Sequence, residues 1–145
     1  MSRIVRAPCE VALGDVVADA IAQTEPQGFF SYVDIGSIDR EVKRITSPKT
    51  FNAEDAPSRA RQVLAAGDVL VSLTRPNLNA VALVPEGLSD AIGSTGFGVL
   101  RSKWVQPEFL YYLVQTDGFI DAMVSLVQGA LYPAVRPKDV LAFRF

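Results

Sequence analysis

Apolar residues follow two different spacings along the chain, and the change falls at Pro107. Before that point, four runs rich in aromatic and β-branched residues, each bounded by glycine, proline or polar residues, predict strands. They are residues 29–35, 69–73, 80–84 and 91–100. Beyond it, apolar side chains recur at helical spacing in residues 107–114 and 117–127, which predicts a C-terminal helical pair. Strands followed by helices indicate an α+β fold on a twisted mixed or antiparallel sheet with hairpins.

Several local patterns predict further elements. Apolar positions at roughly helical spacing in residues 11–22 predict a short amphipathic element, and residues 140–143 predict a last strand. Pro107 suits the first position of a helix and Asp117 suits a helix cap, while Gly129 is expected to end the second helix. The glycines within residues 91–100 mark a bulge or a close backbone approach.

A polar, basic segment interrupts the strands at residues 39–62. It contains Pro48 and Pro57, which predicts that much of it is loop. The whole chain carries a net charge of −2, from 14 basic and 16 acidic residues, yet basic residues predominate in residues 40–61. A phosphate backbone responds to the local distribution of charge, so a basic face is compatible with this acidic chain.

Composition excludes most catalytic classes. The 145 residues contain no histidine and a single cysteine, Cys9, which excludes imidazole bases, Ser-His-Asp triads, His-ligated zinc and an internal disulfide. No P-loop is present, nor an Asn/Asp-Pro-Pro-aromatic segment of the kind that amino-methyltransferases use. We therefore expect no cofactor, no metal and no catalytic residue. With no linker, repeat, signal peptide or membrane-spanning run, residues 1–145 are expected to form one cytoplasmic domain without membrane contact.

One catalytic alternative stays open. Asp34, Glu41 and Lys43 have the residue types of a magnesium-dependent nuclease, in which carboxylates hold the metal and a lysine polarises water. A non-DNA-binding protein-interaction module is a further alternative.

Polar tips between the predicted elements carry side chains able to bond phosphates or base edges. They are residues 58–61, 74–79, 93–96 and 128–133. Arginine can match guanine, asparagine can match adenine, and serine or threonine can bond phosphate oxygens.

Six ordered segments together carry a resemblance to a known family. They are residues 32–39, 58–62, 67–77, 94–101, 111–113 and 129–133. In order and spacing the chain resembles a target recognition domain from the DNA specificity subunit of type I restriction-modification systems, over residues 13–139.

The resemblance implies a non-catalytic reader of double-stranded DNA. In that family each specificity subunit carries two such domains separated by long helices, and each domain reads one half of a split site. Separate modification (methyltransferase) and restriction subunits supply methyl transfer and cleavage, so this chain would serve defence against foreign DNA through those partners. The second recognition domain and the long spacer helices are not in this sequence, so we expect a half subunit, a fragment or an excised domain.

The matching segments predict a set of DNA-binding side chains. These are Arg40, Lys43, Arg44, Lys49, Ser58, Arg59, Arg61, Thr74, Arg75, Asn77, Asn79, Ser94, Thr95 and Tyr132. Alternatives stay open for some of them: a salt bridge for Arg75, a turn-stabilising role for Ser94 and Thr95, and a packed loop corner at Tyr132. A homodimer through an exposed apolar face of the helical pair is a further expectation.

Overall fold

The computed structural model describes residues 9–19, 21–129 and 131–145, and within these it contains nine strands and three α-helices. The strands are β1 (Phe29–Val33), β2 (Ile38–Asp39), β3 (Arg44–Ile45), β4 (Lys49–Asn52), β5 (Ala60–Val63), β6 (Val69–Ser72), β7 (Val81–Leu83), β8 (Ile92–Ser94) and β9 (Phe97–Leu100). The helices are α1 (Pro107–Leu113), α2 (Asp117–Leu126) and α3 (Pro137–Leu141). Single turns of 3-10 helix join several of these elements.

The strands form two main sheets and one small hairpin. A mixed sheet has the order β4-β1-β8-β5, with β1 parallel to β8 and antiparallel to β4. An antiparallel sheet has the order β7-β6-β9, and β2 pairs with β3 as a separate hairpin. Consecutive strands β8 and β9 lie in different sheets, so the turn between them joins the two sheets. The α+β architecture with a helical pair after the strands is confirmed.

Strand β6 lies at the centre of the core because both of its faces are buried. Side chains alternate across a strand, so Val69 and Val71 enter one apolar cluster and Leu70 enters another. The first cluster includes the buried faces of α1 and α2. The second cluster joins β6 to Leu64 and to Phe97 of β9. Burial on both faces explains why this strand is apolar without alternation.

Two element predictions at the ends of the chain are wrong. The described part of residues 11–22 contains one 3-10 turn, Leu13–Asp15, because its backbone pairs instead with residues 143–145 on one side of the turn and residues 101–104 on the other. Leu13 N donates to Phe143 O at 2.8 Å, and Ala20 lies outside the described residues. The predicted strand 140–143 belongs to α3 and its end: Pro137 begins that helix, and Asp139 accepts from Arg136 N at 2.8 Å.

Other boundaries are shifted. Residues 39–62 contain β3, β4 and most of β5, and the residues between these strands, including both prolines, are turn or loop as predicted. The run 91–100 is two strands, β8 and β9, instead of one. Thr116, not Asp117, caps α2, because its hydroxyl accepts from Phe119 N at 3.2 Å. The helix ends at Leu126, before Gly129.

Gly93 marks the close approach that the glycine pattern predicted. A Cβ atom at this position would lie 2.9 Å from Cδ2 of the fully buried Leu64. We expect Gly93→Ala to destabilise the fold by about 1–3 kcal/mol, because the packed core must shift to admit one methyl group. Urea denaturation measures the change. Gly87→Ala is the matched control, since a Cβ there meets nothing within 4 Å; equal stability of the two variants would contradict the prediction.

Candidate nucleic-acid interface

Two of the polar tips, residues 74–79 and 128–133, meet the β2–β3 hairpin at a surface groove of about 460 Å³. Its polar walls come from the β2–β3 hairpin and from the loop after β6. Residues that line it are Ile35, Gly36, Ile38, Arg40, Ser72, Thr74, Arg75, Leu78, Ala80 and Tyr132. Four predicted DNA-binding residues from three separate segments therefore meet here. Tyr132 is 82% exposed, so it is not a packed loop corner.

The loop between β6 and β7 holds Arg75 at the groove in an unusual conformation. Arg75 has a φ of +45°, in the left-handed region that costs a non-glycine residue about 1 kcal/mol or more. Its N–H donates to Pro133 O at 2.8 Å, which ties this loop to the segment that carries Tyr132. Pro76 then begins a 3-10 turn, Pro76–Leu78. The exposed Asn77 lies within that turn.

Arg59 reaches the same region from the mixed sheet. Thr95 N donates to Arg59 O at 2.9 Å, which places the loop before β5 beside the β8–β9 turn. A Cβ at Gly96 would lie 3.5 Å from Ile35 Cδ1 and 3.7 Å from Arg59 Nη1. Since Ile35 also lines the groove, the guanidinium of Arg59 lies near the wall that Ile35 forms. We call Arg40, Arg59 and Arg75 the arginine rim.

The arginine rim differs in its charge partners from four other arginines, while Arg44, which lies outside the groove, is likewise unpaired within the described residues. Within the described residues, none of the three guanidiniums makes an ion pair with a carboxylate. The salt bridge considered for Arg75 is therefore not formed. Four other arginines are paired: Arg61 with Glu25, Arg101 with Asp68, Arg136 with Asp139, and Arg144 with Glu10. Two exposed, unpaired guanidiniums in the groove and a third near its Ile35 wall favour a polyanionic ligand.

Two of the predicted basic contacts are engaged elsewhere. Lys49 binds Asp34 at 2.8 Å, and Arg61 lies 3.6 Å from Glu25 while its Nε donates to Ser58 O. Partial burial opposes ionisation of Asp34, but hydrogen bonds from Lys49 and Ser37 outweigh it and hold its pKa below the ordinary value of 3.8. Asp34 is therefore a structural ion-pair partner.

Lys43, Asn79 and Ser94 turn inward. The Lys43 ammonium donates to Asn79 O at 2.6 Å. Burial, followed by the nearby charge of Arg40, lowers the pKa of Lys43. The buried Asn79 donates from Nδ2 to Val114 O at 2.9 Å. Ser94 is 3% exposed and its hydroxyl accepts from Gly96 N, so it stabilises the turn, as its alternative interpretation held.

The remaining predicted residues are exposed outside the groove. Ser58 and Thr95 lie near Arg59, and Arg44 lines a second groove of about 620 Å³ beside Tyr111 and Tyr112. Sequence reasoning missed the apolar floor, above all Leu78, which is 40% exposed. Its position directly after the Arg75-Pro76-Asn77 tip was the one available signal.

The described residues offer no support for metal chemistry or for a membrane span. No group of three or more His, Cys, Asp or Glu residues among them could hold a metal ion. Asp34 and Lys43 bind different partners, so the nuclease arrangement is not assembled. No helix in the described part of the chain is long and apolar enough to cross a membrane.

Comparisons with known proteins give a consistent result. No family model matches the chain. The chain is 27% identical to the Type I restriction enzyme HindI specificity subunit of Haemophilus influenzae, over 87% of this chain and 28% of that protein. It superposes with a TM-score of 0.85 and 40% identity on the HsdS subunit from Thermoanaerobacter tengcongensis, over 94% of this chain and 36% of that one. The resemblance to type I specificity subunits is confirmed.

A second solved structure extends the comparison. It concerns the complex assembly and conformational transition of the type I R-M system, and one of its chains matches with a TM-score of 0.88 and 38% identity. That match covers 97% of this chain and 38% of the other. The chain therefore spans about a third of the length of these specificity subunits and has the fold of their target recognition domains.

Proposed function

We propose that this chain binds double-stranded DNA and reads one half of a bipartite site as the specificity component of a type I restriction-modification system. The observation that carries the proposal is the groove lined by Arg40 and Arg75, with Arg59 near its Ile35 wall, all three without carboxylate partners among the described residues of a chain of net charge −2. Similarity to specificity subunits supports the same conclusion.

The groove offers both kinds of contact that a DNA reader needs. The arginine rim can bond phosphates or the O6 and N7 atoms of guanine; Thr74 in the groove, and the exposed Thr95 and Asn77 beside it, can add hydrogen bonds. The apolar floor around Leu78 suits contact with the methyl group of thymine. Phosphate contacts would set orientation, and base contacts would set sequence preference.

The partners in this proposal are a methyltransferase (modification) subunit and a restriction subunit. The similar chain in the structure of type I complex assembly supports this assignment. Methyl transfer and cleavage would then occur on those subunits, and this chain would contribute recognition without catalysis. The inward orientation of Lys43 and the Lys49–Asp34 pair disfavour the magnesium nuclease alternative.

Self-association through the helical pair stays a prediction. Tyr112 of α1 is 67% exposed, and Phe109, Val124 and Leu126 are between 44% and 45% exposed. An apolar surface of this kind is also what the protein-interaction alternative requires.

The salt dependence of DNA binding tests the proposed function. The chain is titrated against fluorescently labelled random-sequence duplex between about 50 and about 200 mM KCl. Three phosphate contacts predict a log–log slope near −2.7, so affinity should fall roughly 40-fold over this range. Affinity that is independent of salt, or absence of binding at the lowest salt, would contradict the proposal.

A further inference from the structure

Three residues with a strained backbone lie in the two loops that supply Arg40 and Arg75 to the groove. Within the described residues, four non-glycine residues have positive φ, and Lys43, Arg75 and Asn79 are three of them. Each such residue needs surrounding contacts that hold it in place. The contacts at Lys43 and Asn79 connect two loops of the proposed DNA surface to each other.

Lys43 is bound at three points. Its N–H donates to Asp39 O at 2.8 Å, which closes the turn between β2 and β3 where Arg40 lies. Its carbonyl accepts from Tyr111 Oη at 2.7 Å, and its ammonium donates to Asn79 O at 2.6 Å. The side chain thus spans from the hairpin to the loop after β6.

Asn79 continues the connection. Its N–H donates to Pro76 O, closing the turn that follows Arg75, and its amide side chain donates to Val114 O. Val114 caps the C-terminus of α1, where carbonyls lack helical partners. The tip that carries Arg75 and the hairpin that carries Arg40 are therefore joined to each other and to α1. We call Lys43, Asn79, Tyr111 and Val114 the Lys43 clasp.

We propose that Lys43 is a positioning residue for DNA recognition, which holds the Arg40 hairpin and the Arg75 tip at a fixed separation through Asn79. The role of Lys43 in recognition rests on the proposed function. The hydrogen bonds that join the hairpin to the tip are present in the protein without DNA and are tested separately. Lys43 then acts through Arg40 and Arg75 and makes no phosphate contact of its own.

Hydrogen exchange of the DNA-free protein tests the connection. In Lys43→Met, which keeps the apolar stem and removes the donor, the amides of Arg75, Leu78 and Asn79 should exchange at least about tenfold faster. Lys43→Arg, which keeps a donor, should restore part of the protection. Lys103→Met removes the same charge from an exposed site and should leave these amides unchanged. Unaltered exchange at the tip in Lys43→Met would overturn the proposal.

Binding measurements test the role in recognition. The probes are a duplex pool selected by the wild-type chain from a random library, and the unselected library. Lys43→Met should lower the preference for the selected pool by about tenfold, and leave the salt slope on unselected DNA unchanged. Equal weakening on both pools, with a slope shallower by about 0.9, would instead identify a phosphate contact and overturn the proposal. If the wild type binds neither pool, the proposed function and the recognition role both fail, while hydrogen exchange still decides whether the clasp exists.

Discussion

Arg101→Met is expected to destabilise the fold by about 3 kcal/mol, because it leaves the carboxylate of Asp68 buried without its counter-charge. Asp68 is 0% exposed. Arg101 donates two hydrogen bonds of 2.8 Å to its carboxylate, from Nε to Oδ1 and from Nη2 to Oδ2. Arg101 also donates to Val63 O, so one side chain joins β9, β5 and the turn before β6. The bonds to Asp68 raise the pKa of Arg101, which therefore stays charged. The side chain of Arg101 is 35% exposed, so water can reach the gap and the cost falls at the lower end of the range for broken buried pairs.

Urea denaturation measures this effect against a matched control. Arg144→Met removes an arginine whose partner Glu10 is also exposed, and it should cost at most about 1 kcal/mol. The double variant Asp68→Asn with Arg101→Met should be more stable than Arg101→Met alone, since the uncompensated charge is then absent. A loss in Arg101→Met no larger than in Arg144→Met would show that the pair does not stabilise the fold.

Removing the arginine rim should abolish most DNA affinity. We expect the triple variant Arg40→Gln, Arg59→Gln and Arg75→Gln to bind random duplex roughly 150-fold more weakly, from about 1 kcal/mol for each lost contact. Its log–log salt slope should become shallower by about 2.7 if all three residues contact phosphates. The loss of affinity should exceed that expected from the change in net charge alone, because these guanidiniums lie in or near one groove and have no carboxylate partners among the described residues.

A charge-matched variant distinguishes the effect of the arginine rim on DNA affinity from the effect of net charge. Lys103→Gln, Arg136→Gln and Arg144→Gln remove the same three positive charges from exposed positions outside the groove. Titration of both variants by fluorescence anisotropy should show near-wild-type binding only for this control. Unfolding curves of the two variants verify that each is folded. Equal weakening would mean that general charge, and not the arginine rim, accounts for binding.

The sequence predictions were accurate for elements whose conformation depends on neighbouring residues, and less accurate where contacts with distant residues decide the conformation. β1, β6 and α1 match the segments predicted from their apolar patterns closely, because an element buried on one or both faces needs apolar residues at regular positions along the chain. Val140 and Leu141, half of the predicted strand at residues 140–143, belong to helix α3, because Pro137 and Asp139 stabilise a helical start that outweighs the apolar run. Residues 11–22 carry a helical spacing, but the backbone of residues 11–13 pairs with residues 143–145 and that of residues 16–18 with residues 101–104, and this tertiary pairing decided the outcome.

In the candidate site, too, local features were predictable from the sequence and contacts between distant residues were not. The basic segment and its tips were visible as residue types, but the distinction among the arginines was not. Arg61 and Arg59 are two residues apart, yet one meets Glu25 and the other lies near Ile35 and Gly96. Asn79 and Ser94 carried the right chemistry for DNA contact, and burial gave their side chains internal hydrogen bonds instead.

By itself, the sequence of this protein determined the class of elements, the excluded chemistries and the supply of basic and polar side chains, because periodicity and composition are properties of neighbouring residues. Only the tertiary structure decided which side chains share the groove, which are neutralised by carboxylates and which hold the loops together. Those outcomes depend on contacts between residues far apart in the chain, such as Lys43 with Asn79 and Arg101 with Asp68. The distances and burial that set their energies exist only once the sheets and helices have packed.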